Sequence, residues 1–404
     1  MKTLDPNPEV KPSQLRMILI GIIVILLILT SFQSFSQVRD WSADERISEG
    51  TKQFLKQLNT GGPGLETLSP AQARMVLVSA QSAVKVDLSG TRTIKKTVNS
   101  GGLKVLLYIV KPKAASGDLP VFIFTHGGGW VLGDFPTHER MVHDLVVRTG
   151  MAGVFIEYSR TPEAKYPVAL NECYQGAKWV AEHGHEIGVD GKNMAIVGNS
   201  AGGNLATAVT LMAKEKKTPL IKLQILMWPT IATDFNNESY QQFATDRFLT
   251  APVMKWMYQM YSGDPKDDQD IYYSPLKATT EQLKGMPPTL IQVAENDILR
   301  DEGEAYARKL DAAGVNVIAL RYDGTIHDFG LLNGMAYLPQ TVALFDHAAV
   351  ALKKYLKKSP QTKMVLHHCQ IDHDRRTRLL LHLERDPHIG WHDRSFINHK
   401  SEKL

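Results

Sequence analysis

Apolar positions along this chain follow two rhythms. Short, nearly continuous apolar runs at 121–124 (VFIF), 194–197 (MAIV), 289–293 (TLIQV) and 315–322 (VNVIALRY) are bounded by glycine, proline or polar residues. That is the pattern of strands buried in a parallel sheet. Between and around them the spacing becomes helical. The run after Ser200, the stretch after Asp297, and residues 44–59 and 69–84 all read as helices, with Gly61, Gly62, Pro63 and Gly64 breaking the last two apart. Alternation of this kind predicts an α/β protein.

Two of the strands run into glycine-rich turns. The first, VFIF, is followed by Thr125, His126, Gly127, Gly128 and Gly129 before Trp130. Glycines permit positive φ, and consecutive residues without Cβ let several N–H groups converge on one spot; a flexible turn is the plain alternative. The second, MAIV, leads into Gly198, Asn199, Ser200, Ala201 and Gly202 and then a helix. Gly-x-Ser-x-Gly between strand and helix is the context of a nucleophile elbow, with the helix N-terminus placing N–H groups beside the serine.

A serine hydroxyl at its free pKa needs a base, and the base needs an orienting acid. Behind an elbow these follow in the order Ser, acid, His. His327 is the sole histidine between His185 and His347, and it sits in the loop after the strand at 315–322. The strand at 289–293 ends in Glu295, Asn296 and Asp297, with Asp301 and Glu302 a little further on. Asp297 is favoured as the acid, because the exposed face of the helix that follows accounts for Asp301 and Glu302. Asp323 and Asp328 flank the histidine and more naturally shape its loop. Ser200, Asp297 and His327 thus all fall just beyond carboxyl ends of strands, where open α/β sheets place their sites.

Composition narrows the rest. The chain has 404 residues, 43% hydrophobic and 22% charged, with a net charge of +4, which singles out neither nucleic acid nor an acidic partner. Two cysteines, Cys173 and Cys369, give no disulfide framework and no zinc spacing in the body of the chain, so no structural metal is expected, and a serine activated by histidine and an acid requires no metal or organic cofactor. An apolar stretch begins at Met17 and ends at Leu29, preceded by Lys2, Lys11 and Arg16. Its length suits a signal-peptide core of about 7 to 15 residues better than a membrane span of about 20. Residues 1–36 are therefore expected to direct export, with cleavage near Ser36, or alternatively to remain as a membrane tether. Residues 359–404 form a tail holding seven of the fourteen histidines, without amphipathic pattern. His367, His368, Cys369 and His373 could hold a metal, but a disordered or non-native tail fits this composition better.

The motifs HGGGW, GNSAGG, ENDILRDEG and IHDF, in that order, resemble the hormone-sensitive-lipase-like family of α/β-hydrolases, the bacterial esterases and lipases with a HGGG motif. The resemblance extends to EYSRTPEAKYPVAL and covers roughly residues 44–358. It implies an α/β-hydrolase fold: a mostly parallel eight-stranded sheet flanked by helices, with a catalytic domain over 85–358. It implies a helical cap from residues 37–84 and about 236–265. It makes Ser200 the nucleophile, His327 the general base and acid, and Asp297 its orienting carboxylate. Backbone N–H groups of Gly128 and Gly129, with Gly127 helping the turn, would join that of Ala201 in an oxyanion hole. His126 and Trp130 would brace the loop, and Trp130, Phe248 and Trp256 are candidates for the substrate pocket. Asn199 departs from the acidic residue or Thr common before the serine, and Ser159 and Thr161 stand where Leu and Ala are common. The implied activity is a carboxylesterase for short acyl chains acting on a small-molecule ester, with a homodimer as the candidate assembly. An amidase or arylformamidase, a lipase, or a non-catalytic binding protein are the alternatives.

Overall fold

The described residues form eight strands: β1 (Thr91–Ser100), β2 (Leu103–Pro112), β3 (Leu119–Thr125), β4 (Ala152–Glu157), β5 (Val189–Asn199), β6 (Ile221–Met227), β7 (Thr289–Asn296) and β8 (Val317–Ile326). They form one sheet in the order β1-β2-β4-β3-β5-β6-β7-β8, in the computed structural model, which describes residues 41–356. β2 runs antiparallel to both β1 and β4, and every other pairing is parallel. The expected α/β-hydrolase fold is therefore present. The N-terminal apolar segment and the histidine-rich tail lie outside the described residues.

Helices fill the connections: α1 (Glu49–Leu58), α2 (Pro70–Ser82), α3 (Phe135–Thr149), α4 (Val168–His183), α5 (Ala201–Lys216), α6 (Glu238–Phe243), α7 (Ala251–Tyr261), α8 (Thr280–Leu283), α9 (Arg300–Ala312) and α10 (Pro339–Tyr355). Strand order explains where a site can form. From β3 the chain crosses through α3 to β4 on one side, and from β5 it crosses through α5 to β6 on the other. Right-handed crossovers put α3 and α5 on opposite faces, so the loops leaving neighbouring strands β3 and β5 diverge and leave a crevice at their carboxyl ends. Both strands are buried along nearly their whole length.

The first helix begins later than its periodicity suggests. Asp44 accepts from the backbone and guanidinium of Arg46, Ile47 bridges to Gly324 on β8, and only at Ser48, whose hydroxyl caps Thr51 N, does α1 start. Pairing with β8 has overridden the local propensity there. α2 has the complete capping box expected of Ser69 and Gln72.

Candidate active site

Ser200 is forced outward by the backbone. It sits at φ 53°, ψ −123°, in the turn between β5 and α5, with its N–H donating to Met227 O at 2.9 Å. A non-glycine residue there carries on the order of 1–3 kcal/mol of strain, sustained only because its surroundings fix it. Glycine at 202 is part of that fixation: a Cβ there would lie 2.0 Å from Thr125 O.

The other two residues arrive from separate strands. His327 follows β8, and its Nε2 lies 3.0 Å from Ser200 Oγ. Its Nδ1 lies 2.7 Å from Asp297 Oδ2, just past β7. Asp297 Oδ1 also accepts from Leu299 N at 2.9 Å, which sets the carboxylate's plane. All three side chains are buried. Burial is the largest influence on His327 and disfavours its charged form, but Asp297 and then Asp328 outweigh it, so its pKa is raised above the ordinary 6.5.

The competing acids are each committed elsewhere. Glu295 accepts from Gly324 N at 2.8 Å, and Asp301 accepts from Ser239 N at 2.7 Å. Glu302 corrects the sequence reading, since it does not sit on an exposed face. It is 2% exposed, accepts from Ile231 N at 2.7 Å, and burial pushes its carboxyl well above the usual range. Periodicity placed it outside because the loop after β6, which covers that side of α9, has no local signature. Asp328 shapes the histidine loop: it accepts from Trp228 Nε1 at 2.8 Å, and its Oδ1 lies 3.9 Å from His327 Nε2.

The glycine loop packs against the elbow through Gly127, where a Cβ would lie 2.8 Å from the carbonyl oxygen of Asn199. Gly128 and Gly129 have φ values of 100° and 59°, and their N–H groups, like that of Ala201 at the head of α5, find no acceptor among the described residues. Gly127 differs, because its N–H donates to Asn199 Oδ1 at 3.0 Å and is not free for a ligand. His126 stacks on Tyr158 with centroids 4.0 Å apart, and burial pulls its pKa well below 6.5, so it is a neutral brace. Trp130, a candidate for the pocket, is fully buried and stacked on the Tyr261 ring at 4.1 Å. Trp256 is buried on α7, and Phe248 is half-buried at φ 74°, its ring edge-on to Phe54.

Polar residues that sequence reasoning passed over tie the N-terminal helices to these loops. Arg74 on α2 donates to Val131 O at 2.8 Å and Thr161 O at 3.0 Å and pairs with Glu163. Gln81 donates to Thr137 O and Leu331 O and accepts from Asn333 N. Asp44 and Arg247 form a buried pair at 3.1 Å that joins the N-terminal segment to the stretch ahead of α7. On a helical wheel such residues are indistinguishable from a solvated face. No cluster of His, Cys, Asp and Glu suited to a metal occurs among the described residues.

A sequence profile of the alpha/beta hydrolase fold matches residues 122–331. An alpha/beta hydrolase of Acanthamoeba polyphaga mimivirus is 36% identical over 307 residues, 75% of this chain and 86% of that protein. Carboxylesterase NlhH of Mycobacterium tuberculosis is 30% identical over 267 residues, covering 66% of this chain and 83% of its own length. The crystal structure of a thermostable esterase from Pseudomonas putida superimposes with a TM-score of 0.77 at 50% identity, over 78% of this chain and all of that one.

Proposed function

This chain belongs to the hormone-sensitive-lipase-like family of α/β-hydrolases and is a carboxylic ester hydrolase; we propose that it cleaves short-acyl esters through an acyl-enzyme on Ser200. The observation that carries the mechanism is the continuous hydrogen-bond chain from Ser200 Oγ through His327 to Asp297, next to the unengaged N–H groups of Gly128, Gly129 and Ala201.

In this mechanism Asp297 holds Nδ1–H, so Nε2 is the free base and takes the Ser200 proton as Oγ attacks the ester carbonyl. The new oxyanion rests on the three N–H groups, each such donor being worth about 3–4 kcal/mol in the transition state. His327 passes its proton to the departing alcohol oxygen. Water then attacks the acyl-enzyme by the same route and releases the acid with Ser200 restored. Every step uses side chains and backbone of this chain.

Crowding around the cradle supports a short acyl group. The Met257 side chain lies so close to Gly129 that its Sδ would be 2.0 Å from a Cβ there, and α7 thereby closes one side of the site. Helices α1 and α2 with residues 236–265 act as the cap, fastened by Arg74, Gln81 and the Asp44–Arg247 pair.

Hydrolysis of p-nitrophenyl esters from acetate to palmitate by the protein lacking residues 1–36, alongside Ser200→Ala, tests the proposal. Loss of a triad serine costs about 10⁶-fold in turnover. Rates that peak at short chains and vanish in the variant are expected. Equal rates from both proteins would refute the mechanism.

A further inference from the structure

Asn199 immediately precedes the nucleophile, is fully buried, and touches neither the imidazole nor Ser200 Oγ in any hydrogen bond, yet its two polar atoms reach two different loops. Its Oδ1 accepts from Gly127 N at 3.0 Å, and its Nδ2 approaches Asp328 Oδ1 at a long 3.5 Å. The same Asp328 oxygen takes Trp228 Nε1–H at 2.8 Å.

These contacts bear on the cradle through peptide geometry. Gly127 packs so tightly on Asn199 that a Cβ at 127 would lie 2.6 Å from Nδ2. Its N–H is held by Asn199, and its carbonyl accepts from His126 Nδ1–H at 2.8 Å. The Gly127 C=O and the Gly128 N–H belong to one planar trans peptide unit and point in opposite directions. Fixing the carbonyl on one side therefore fixes the direction of the Gly128 N–H on the other. At its far end the network stops at Asp328, in the loop that carries His327.

We infer that Asn199 is a positioning residue that locks the oxyanion loop, through Gly127, to the histidine loop, through Asp328. It sets the relative placement of the cradle and the base rather than touching substrate. The inference rests on the acyl-enzyme mechanism above and deepens it. It also assigns the one buried charge of this network to Asp328: with an amide at 199, each contact joins a donor to an acceptor. The titratable groups acting on His327 are Asp297 beyond β7 and Asp328 in its own loop, and the buried Glu302 on α9 acts on Asp297.

The test is an exchange of the two groups. Asn199→Asp, Asp328→Asn and the double variant are compared with the intact protein for kcat, KM and the pH dependence of kcat/KM on p-nitrophenyl acetate, with thermal unfolding as the control for folding. In Asn199→Asp two carboxylates meet, and in Asp328→Asn the charge is lost. Asn199→Asp is expected to lower kcat at least about tenfold, as mispaired buried polar groups do, with little change in KM, whereas Asp328→Asn keeps an oxygen that accepts from both Asn199 and Trp228 and is expected to lower kcat less than about tenfold. The acidic limb should move to higher pH in Asn199→Asp, where added negative charge favours the imidazolium, and to lower pH in Asp328→Asn.

The double variant preserves volume and carries a single carboxylate again, with Asp at 199 still accepting from Gly127, but Asn at 328 can satisfy either Trp228 Nε1–H with its oxygen or the carboxylate at 199 with its NH₂ and not both at that one position. By removing the second carboxylate the double variant should raise kcat at least about threefold above that of Asn199→Asp and bring the limb back. Merely structural roles would lower the unfolding temperature without moving the limb. An Asn199→Asp variant with unchanged kcat and limb overturns the inference, as does a folded double variant no more active than Asn199→Asp. If a single variant does not fold, the double decides alone, and a double that cannot fold overturns it too. A parent protein inactive on all esters would instead refute the mechanism itself, and the inference with it.

Discussion

Replacing Asp297 by Asn tests the site most sharply, because it changes one atom and not the shape. Asp297 Oδ1 accepts from Leu299 N at 2.9 Å, and Oδ2 lies 2.7 Å from His327 Nδ1. An asparagine keeps the first contact by turning its oxygen to Leu299, which leaves its NH₂ aimed at the imidazole. The ring then accepts at Nδ1 and carries its proton on Nε2, which faces Ser200 Oγ at 3.0 Å and can no longer take the serine's proton. The corresponding change in a serine protease triad costs about 10⁴-fold in kcat, which at 1.36 kcal/mol per tenfold is about 5.4 kcal/mol of transition-state stabilisation. The assay is kcat for p-nitrophenyl acetate at pH 8, with thermal unfolding to confirm the fold, run beside Glu295→Gln. The Glu295 carboxylate binds Gly324 N and not the ring, so that variant is expected to lose less than about tenfold. An Asp297→Asn protein with more than a tenth of parental activity, or a Glu295→Gln protein that loses as much, would refute the assignment of the acid.

Three further outcomes follow from the same coordinates. His327 must be neutral to act as base and its pKa is raised, so the acidic limb of kcat/KM should have its midpoint above 6.5; a midpoint below that value contradicts the balance of burial against Asp297 and Asp328. Gly202→Ala should abolish activity and lower the unfolding temperature, since its Cβ would sit 2.0 Å from Thr125 O, and a fully active variant would mean the elbow is looser than described. The folded state holds the buried Glu302 carboxyl protonated above its ordinary 4.5, so the stability tied to it is complete below that pH and lost as pH rises toward the folded pKa. Glu302→Gln should therefore gain stability relative to the parent between pH 5 and pH 8, read by thermal unfolding at each, and a pH-independent difference would count against a protonated Glu302.

Sequence order alone carried much of this protein. Apolar runs located four of the eight strands, glycine at 198 and 202 marked the elbow, and the succession of Ser200, Asp297 and His327 identified three residues that the sheet brings within 3.0 Å contacts. These were legible because each lies where a strand ends, and strand ends in one parallel sheet are neighbours whatever the distance along the chain. The antiparallel placing of β2, and the late start of α1, were decided by pairing between segments far apart in sequence.

Tertiary structure alone decided what each polar or aromatic side chain faces. It buried Glu302 under the loop after β6, turned Trp130 onto Tyr261, sent Arg74 and Gln81 from α2 to carbonyls of distant loops, and gave the Gly127 N–H to Asn199. Local pattern registers only whether a position repeats with the period of a helix or a strand. A hydrogen bond between residues dozens or hundreds of positions apart depends on the direction of a side chain and on which loop closes over it, and both are fixed only when the sheet and its helices have packed.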